Sequence, residues 1–280
     1  MLILHSYNTM KFFKFNNFKD ILKHIDSLSW KCEIDSYEIY CIAKKEFKNI
    51  AINASKNKKY FRLIGQSGSG KTTQLLPAIN EYCYKNNIKP VHFAVRNFAI
   101  FHPQYDKLLE KYGNSEIREI TNGFALKCLL ICLVFAIQNN FDILLEVTLL
   151  TKKFEKFLLK ILKNSDFSRK YYAIAINKQL SNHLINKRKL QKNTIESGRK
   201  VNTKSADFFY KNLFSSLNFL TMFDKSSNII IWNAFNLYPV YDSVLKNCRS
   251  IFIKNSKIVS YCFKDVSKLS KAKVNYLTLR

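Results

Sequence analysis

A chain of 280 residues, 47% of them hydrophobic, can bury the core of one large domain, which excludes a disordered or fibrous polymer. The formal charge of +26 favours phosphorylated ligands, but it is a weak sign of nucleic-acid binding: lysine is scattered through every segment and no basic-aromatic recognition motif accompanies it. Seven cysteines, at 32, 41, 83, 128, 132, 248 and 262, form an odd set without CxxC pairs or metal-spaced histidines and read as reduced thiols of a cytoplasmic protein.

In chain order, the start MLILHSYNTMKFF has neither the apolar core nor the cleavage site of a secretory leader, so none is expected. Residues 1–57 carry two predicted helices, about 18–28 and 37–49, that either brace a sheet or meet a partner. Five short β-branched or aromatic runs follow, at 61–64, 91–95, 141–145, 171–176 and 228–232. They alternate with helical segments at about 70–86, 104–112, 116–138, 152–164, 177–190 and 204–220. That alternation predicts an α/β fold with a five-stranded parallel sheet, helices on both faces and a helical N-terminal extension.

Pro77 falls inside the first of those helices and should bend it. The longest apolar stretch, 126–137, is interrupted by Lys127 and by itself is too short to span a bilayer, so it reads as a buried helix, with Cys128 and Cys132 as small apolar side chains on it. The expected organisation is an extension over 1–57, a catalytic domain over 58–246 and a lysine-rich tail over 247–280, the tail ending in a hairpin of 250–253 with 258–263.

The strongest signal is Gly65-Gln66-Ser67-Gly68-Ser69-Gly70-Lys71-Thr72, a complete GxxxxGK[ST] phosphate-binding loop behind a predicted strand and ahead of a predicted helix. Its glycines let main-chain N–H groups close on phosphate oxygens, and the helix start adds its positive dipole end. Lys71 supplies a point charge for the outer phosphates and Thr72 a hydroxyl ligand for Mg2+, with Thr73 behind it. Only six glycines occur in the chain and three stand at 65, 68 and 70, so the cluster is not a product of composition.

Glu146 ends the apolar run FDILLE, and ligands of open α/β sheets lie beyond the carboxyl ends of the strands. A carboxylate there orients water around magnesium or accepts a hydroxyl proton; the rival reading is a solvated strand-end acid. The basic stretch 188–204, RKLQKNTIESGRKVNTK, is either a solvated face or a lid whose guanidinium groups, Arg188 and Arg199, close on the γ-phosphate.

Across about residues 60–235 the chain resembles the zeta toxins, kinases that phosphorylate UDP-N-acetylglucosamine. The likeness rests on GQSGSGKTT at 65–73, FHPQYDKLLEKYG at 101–113, LLEVT at 144–148 and SGRKVNTKSADFFYKNL at 197–213, in matching order and spacing. It implies a P-loop NTPase fold, ATP or GTP as donor, Mg2+, a sugar-nucleotide acceptor, a toxin role and an inhibitory antitoxin partner. Carried onto this sequence, it implies that Lys71 and Thr72 bind phosphate and magnesium and that Glu146 and His102 line the acceptor site. It also implies that Arg199 is the lid's phosphate contact, with Arg188 the arginine before it.

One position departs from the family pattern. An aspartate base is expected seven residues before the proline of the HP pair, and counting back from Pro103 gives Arg96. An arginine is no base near neutral pH. Either Glu146 serves as the base, or Arg96 binds an anionic acceptor, or the chain is a nucleotide-binding regulator with little transferase activity. A nucleic-acid-stimulated NTPase is the further alternative that the charge allows.

Overall fold

The computed structural model describes residues 18–28, 30–65, 68–147, 152–163, 165–175, 185–186, 219–220, 224, 228–233 and 239–242. Its elements in chain order are α1 (Phe18–Asp26), α2 (Ser36–Ile50), β1 (Lys59–Ile64), a π-helical turn (Lys71–Leu75), α3 (Leu76–Lys85), β2 (Val91–Ala94) and α4 (Val95–Ala99). They continue with α5 (Tyr105–Gln138), β3 (Ile143–Glu146), α6 (Lys152–Lys163), β4 (Ser168–Ala175), β5 (Asn228–Asn233) and β6 (Pro239–Asp242). The sheet order is β2-β3-β1-β4-β5-β6.

The α/β reading holds, with one correction to the strand count. A sixth strand, β6, pairs antiparallel to β5, whereas β4 and β5 pair parallel from Lys170 opposite Asn228 to Ala175 opposite Asn233. Proline opens β6 at the sheet edge, where a strand can lack one N–H donor. The helices expected at 177–190 and 204–220, the basic segment 188–204 and the tail hairpin lie outside the described residues, apart from short pieces.

By its internal contacts the chain divides into two compact units. One gathers Met1–Lys59, Ile88–Ile143 and Lys160–Phe167. Its core is the second half of α5, where Phe124 to Ile137 are buried almost without interruption. The span Glu116–Gln138 is long and apolar enough to cross a membrane, yet 89% of its most apolar window is buried within the protein, as a core helix would be. Gly113 (φ 70°, ψ 175°) is non-helical, so Tyr105–Gln138 is two helices meeting at a kink, as the break between the predicted segments at 112 and 116 anticipates.

The N-terminal helices brace that core. Asp35 caps α2 by accepting from the Tyr37 and Glu38 amides at 2.8 and 3.4 Å. Ile39, Ala43 and Phe47, spaced at helical intervals, are buried. Phe47 and Tyr40 each meet the Phe135 ring at 5.7 Å. Lys127 donates to Asp26 (2.8 Å) and Ser36 (3.1 Å), which compensates a cation within the apolar stretch 124–137 of α5. Burial would raise the Asp26 carboxyl, but its bonds from Lys127 and Ser36 override this and hold it below its ordinary value.

Gly123 lets α5 approach the loop before α2, since a Cβ there would stand 1.7 Å from the Lys31 carbonyl oxygen. Gly123→Ala is therefore expected to cost at least about 1–3 kcal/mol despite alanine's better helix propensity. Urea unfolding checks it; an unchanged or raised midpoint would show that the Lys31 backbone moves freely.

A second fixture of this unit is Asp142, 0% exposed, whose carboxylate accepts four hydrogen bonds. Oδ1 takes the amides of Asn57 (3.0 Å) and Lys59 (2.7 Å), and Oδ2 takes the Ser55 hydroxyl (2.5 Å) and Asn57 Nδ2 (2.9 Å). These bonds tie the start of β3 to the chain entering β1.

The other unit gathers Tyr60–Asn87, Leu144–Leu159 and Ser168–Arg280. Here β1 is buried from Tyr60 through Ile64, with no in-out alternation, the pattern of a strand covered on both faces. Phe154, Phe157, Leu158, Ile161 and Leu162, which recur at helical spacing along α6, are also buried.

Candidate active site

β1 delivers the chain into the phosphate loop. Gly68 (φ 76°) and Gly70 (φ 92°) adopt left-handed conformations that strain any other residue. At Gly65 the limit is space: a Cβ there would lie 2.6 Å from Ser69 Oγ and 3.3 Å from Lys71 Cγ, so those side chains would have to shift. Gln66 and Ser67 lie outside the described residues. Ser69 is buried, and its Oγ has no hydrogen-bond partner among the described residues.

Past Gly70 the helix does not open as α. Both the Gln74 and Leu75 amides donate to Gly70 O, at 2.9 and 3.4 Å, and the Leu76 amide reaches Lys71 O. Pro77, near the start of α3, supplies the reason, because it has no N–H and its ring would press on the carbonyl four residues earlier. A wide π turn takes up that misfit directly behind the loop, a place where such turns often mark function. It also lays the Gln74 side chain against Gly70, with Gln74 Oε1 buried and without a partner among the described residues.

Two contacts gather the predicted groups. Lys71 Nζ donates to the Gly65 carbonyl at 2.6 Å, so the ammonium lies across its own loop. The Thr72 hydroxyl donates to Glu146 Oε1 at 2.5 Å, joining loop and acid from sequence positions far apart. Glu146 is the last residue of β3, the strand beside β1 in the sheet, and is half-buried, which favours a site acid over a solvated one. A hydroxyl and a carboxylate side by side form a hard oxygen set of the kind Mg2+ uses when phosphate and water complete its shell. The residues present thus fit that ion. Thr73 points outward and is exposed.

The other predicted residues lie on other elements or outside the described residues. Arg96 lies on α4, half-buried and engaged with neighbouring groups. Its element is a short helix where the sequence pattern extended the strand to 95. His102 Nδ1 accepts the Gln104 amide (3.2 Å), and its ring meets Phe124 edge-on at 5.0 Å. Burial pushes this imidazole below its ordinary pKa while Glu33 and Glu38 pull the other way, and Nδ1, as an acceptor, carries no proton. In this place it braces the entry to α5. Arg188 and Arg199 lie outside the described residues.

Sequence reasoning missed a buried ion pair behind the loop. Arg62 on β1 forks onto Glu155 of α6 through Nη1 to Oε2 and through Nη2 to Oε1 at 2.7 Å, with the two side chains 1% and 0% exposed. A lone arginine in a run that reads as a buried strand was the available signal, since such a charge requires a carboxylate.

The family model described as Zeta toxin matches residues 44–245. The chain is 32% identical over 117 residues to Toxin PezT of Streptococcus pneumoniae serotype 4, a match spanning 42% of this chain and 44% of that protein. A solved structure from the PezAT chromosomal toxin-antitoxin system of the same species superposes with a TM-score of 0.59 at 21% identity, covering 84% of this chain and 95% of that one. That likeness is one of fold.

Proposed function

The chain belongs to the zeta toxin family, and from that premise we propose that it is a small-molecule kinase, transferring the γ-phosphoryl group of ATP or GTP to a hydroxyl of a sugar nucleotide resembling UDP-N-acetylglucosamine. The observation that carries the reading is the contact of Thr72 with Glu146, which puts a phosphate loop and an acid in one place.

In this reading the amides around Gly68 and Gly70 hold the β-phosphate, and the Ser69 hydroxyl finds there the partner it lacks among the described residues. Lys71 leaves Gly65 O for the outer phosphates. The Thr72 hydroxyl would hold Mg2+, which when bound would offset the charge of the transferred group. Glu146 then accepts the acceptor's hydroxyl proton, the task that Arg96 cannot perform. Arg188 and Arg199 neutralise charge from the lid. A cytoplasmic setting and an antitoxin partner belong to the same proposal, the latter because the PezAT relative is a toxin-antitoxin system.

Incubation with nucleotide, Mg2+ and UDP-N-acetylglucosamine, followed by mass spectrometry, is expected to yield a phosphorylated sugar nucleotide with wild type and none with Lys71→Ala. Identical spectra for the two proteins would refute the kinase reading. Arg96 supports a second reading, a nucleotide-binding regulator with little turnover. In that case Arg96→Asp is expected to raise sugar phosphorylation by about 10²-fold or more, the usual minimum contribution of a general base. An Arg96→Asp protein no faster than wild type would remove this second reading.

A further inference from the structure

We propose that the buried Arg62–Glu155 pair is a positioning device that sets the phosphate loop against Glu146. The proposal rests on the kinase reading for its purpose but not for its geometry. Arg62 stands three residues before Gly65 on the strand that feeds the loop, and Glu155 lies on α6, the helix that follows Glu146. The pair thus links the supports of the two groups that meet at Thr72 and Glu146.

Stability alone does not explain an ion pair at this depth. Desolvating both charges offsets most of their attraction, and well-packed apolar residues of similar volume commonly serve as well or better. What the pair adds is direction. The apolar side chains of α6 pack without angular preference and allow the helix to slide, whereas two parallel N–H···O bonds from a planar guanidinium fix both distance and rotation. The Phe154 ring, 5.8 Å from the guanidinium carbon, backs the same group.

The neighbouring side chain on this face of β1 is anchored as well. Tyr60, two residues before Arg62 and fully buried, meets Tyr171 of β4 at 6.0 Å. The Tyr171 hydroxyl donates to Asp224 (2.7 Å), which Arg169 grips through Nε and through Nη2 at 2.9 Å. The strand is therefore referenced on this face to α6 by one arginine fork and through β4 to Asp224 by another.

The test compares the full-length wild type with Arg62→Met/Glu155→Leu, an apolar replacement of similar volume, and with Arg62→Lys, which keeps the charge but not the fork. Melting temperature and amide hydrogen exchange are read without nucleotide. A positioning pair predicts that the double variant melts near wild type while amides at 68–72 and 144–147 exchange about tenfold faster or more, because local opening is reported separately from global unfolding. Unchanged exchange at both segments in the folded double variant overturns the proposal.

If the double variant does not fold, Arg62→Lys decides: faster exchange confined to the two segments supports the proposal and unchanged exchange overturns it. Failure of both variants to fold also overturns it, by making the pair a requirement of folding itself. Nucleotide titration of wild type reads the kinase proposal independently, since absence of uptake would sink that proposal and leave the exchange result standing.

Discussion

Glu146→Gln is expected to leave nucleotide affinity within a few-fold of wild type and to lower phosphoryl transfer by about 10²- to 10⁴-fold. Glutamine has the shape of glutamate and its carbonyl still accepts the Thr72 hydroxyl now bonded to Glu146 Oε1, so loop and strand end remain joined. The variant loses a negative charge and a basic lone pair. The prediction separates two roles that the geometry allows. If Glu146 only helps to hold the metal, added Mg2+ restores most of the rate. If it takes the acceptor proton, the loss persists at saturating Mg2+, and the rise of rate with pH on the acid side disappears from the profile. Single-turnover kinetics across pH distinguishes the outcomes. A loss below about tenfold at all Mg2+ concentrations would remove Glu146 from the proton transfer.

The features legible in the sequence are those written in local spacing. The loop glycines, the apolar runs of β1 and β3, the periodicity of α6 and the break at Gly113 each depend on residues a few positions apart, and they carry the class of fold and the placing of Glu146 at a strand end; its hydrogen bond with Thr72 is tertiary. Pro77 was legible as a disturbance but not as a π turn, because the compensation involves the hydrogen-bond register of the preceding residues rather than the proline alone. The 91–95 run overshoots the strand by one residue, since Val95 has a strand former's side chain but opens α4. β6 was missed because four residues headed by proline carry little strand signal away from their partner. The Arg62–Glu155 pair and the Asp142 hub were beyond local patterns: each is a product of tertiary structure, joining groups more than eighty residues apart.

The Asp142 hub yields the largest expected stability effect. Asp142→Ala removes a fully buried carboxylate and leaves the Lys59 and Asn57 amides and the Ser55 hydroxyl without their acceptor. Each such group costs about 1–3 kcal/mol when it cannot be rehydrated. Asn57 is exposed and its side chain recovers water, and the Ser55 hydroxyl still accepts the Lys89 amide at 2.8 Å, so the sum falls short of the full count. A net loss of about 2–4 kcal/mol is expected, a large part of the 5–15 kcal/mol that usually separates folded from unfolded chains. Asp142→Asn is expected to lose only about 1 kcal/mol. Its carbonyl oxygen can keep the two backbone amides that Oδ1 now holds, while its NH2 takes the place of Oδ2 and donates to the Ser55 hydroxyl and to an Asn57 amide turned end for end. Urea unfolding of the two variants checks the order. Equal losses would mean that the charge itself, rather than the four-acceptor geometry, holds residues 55–59 against β3.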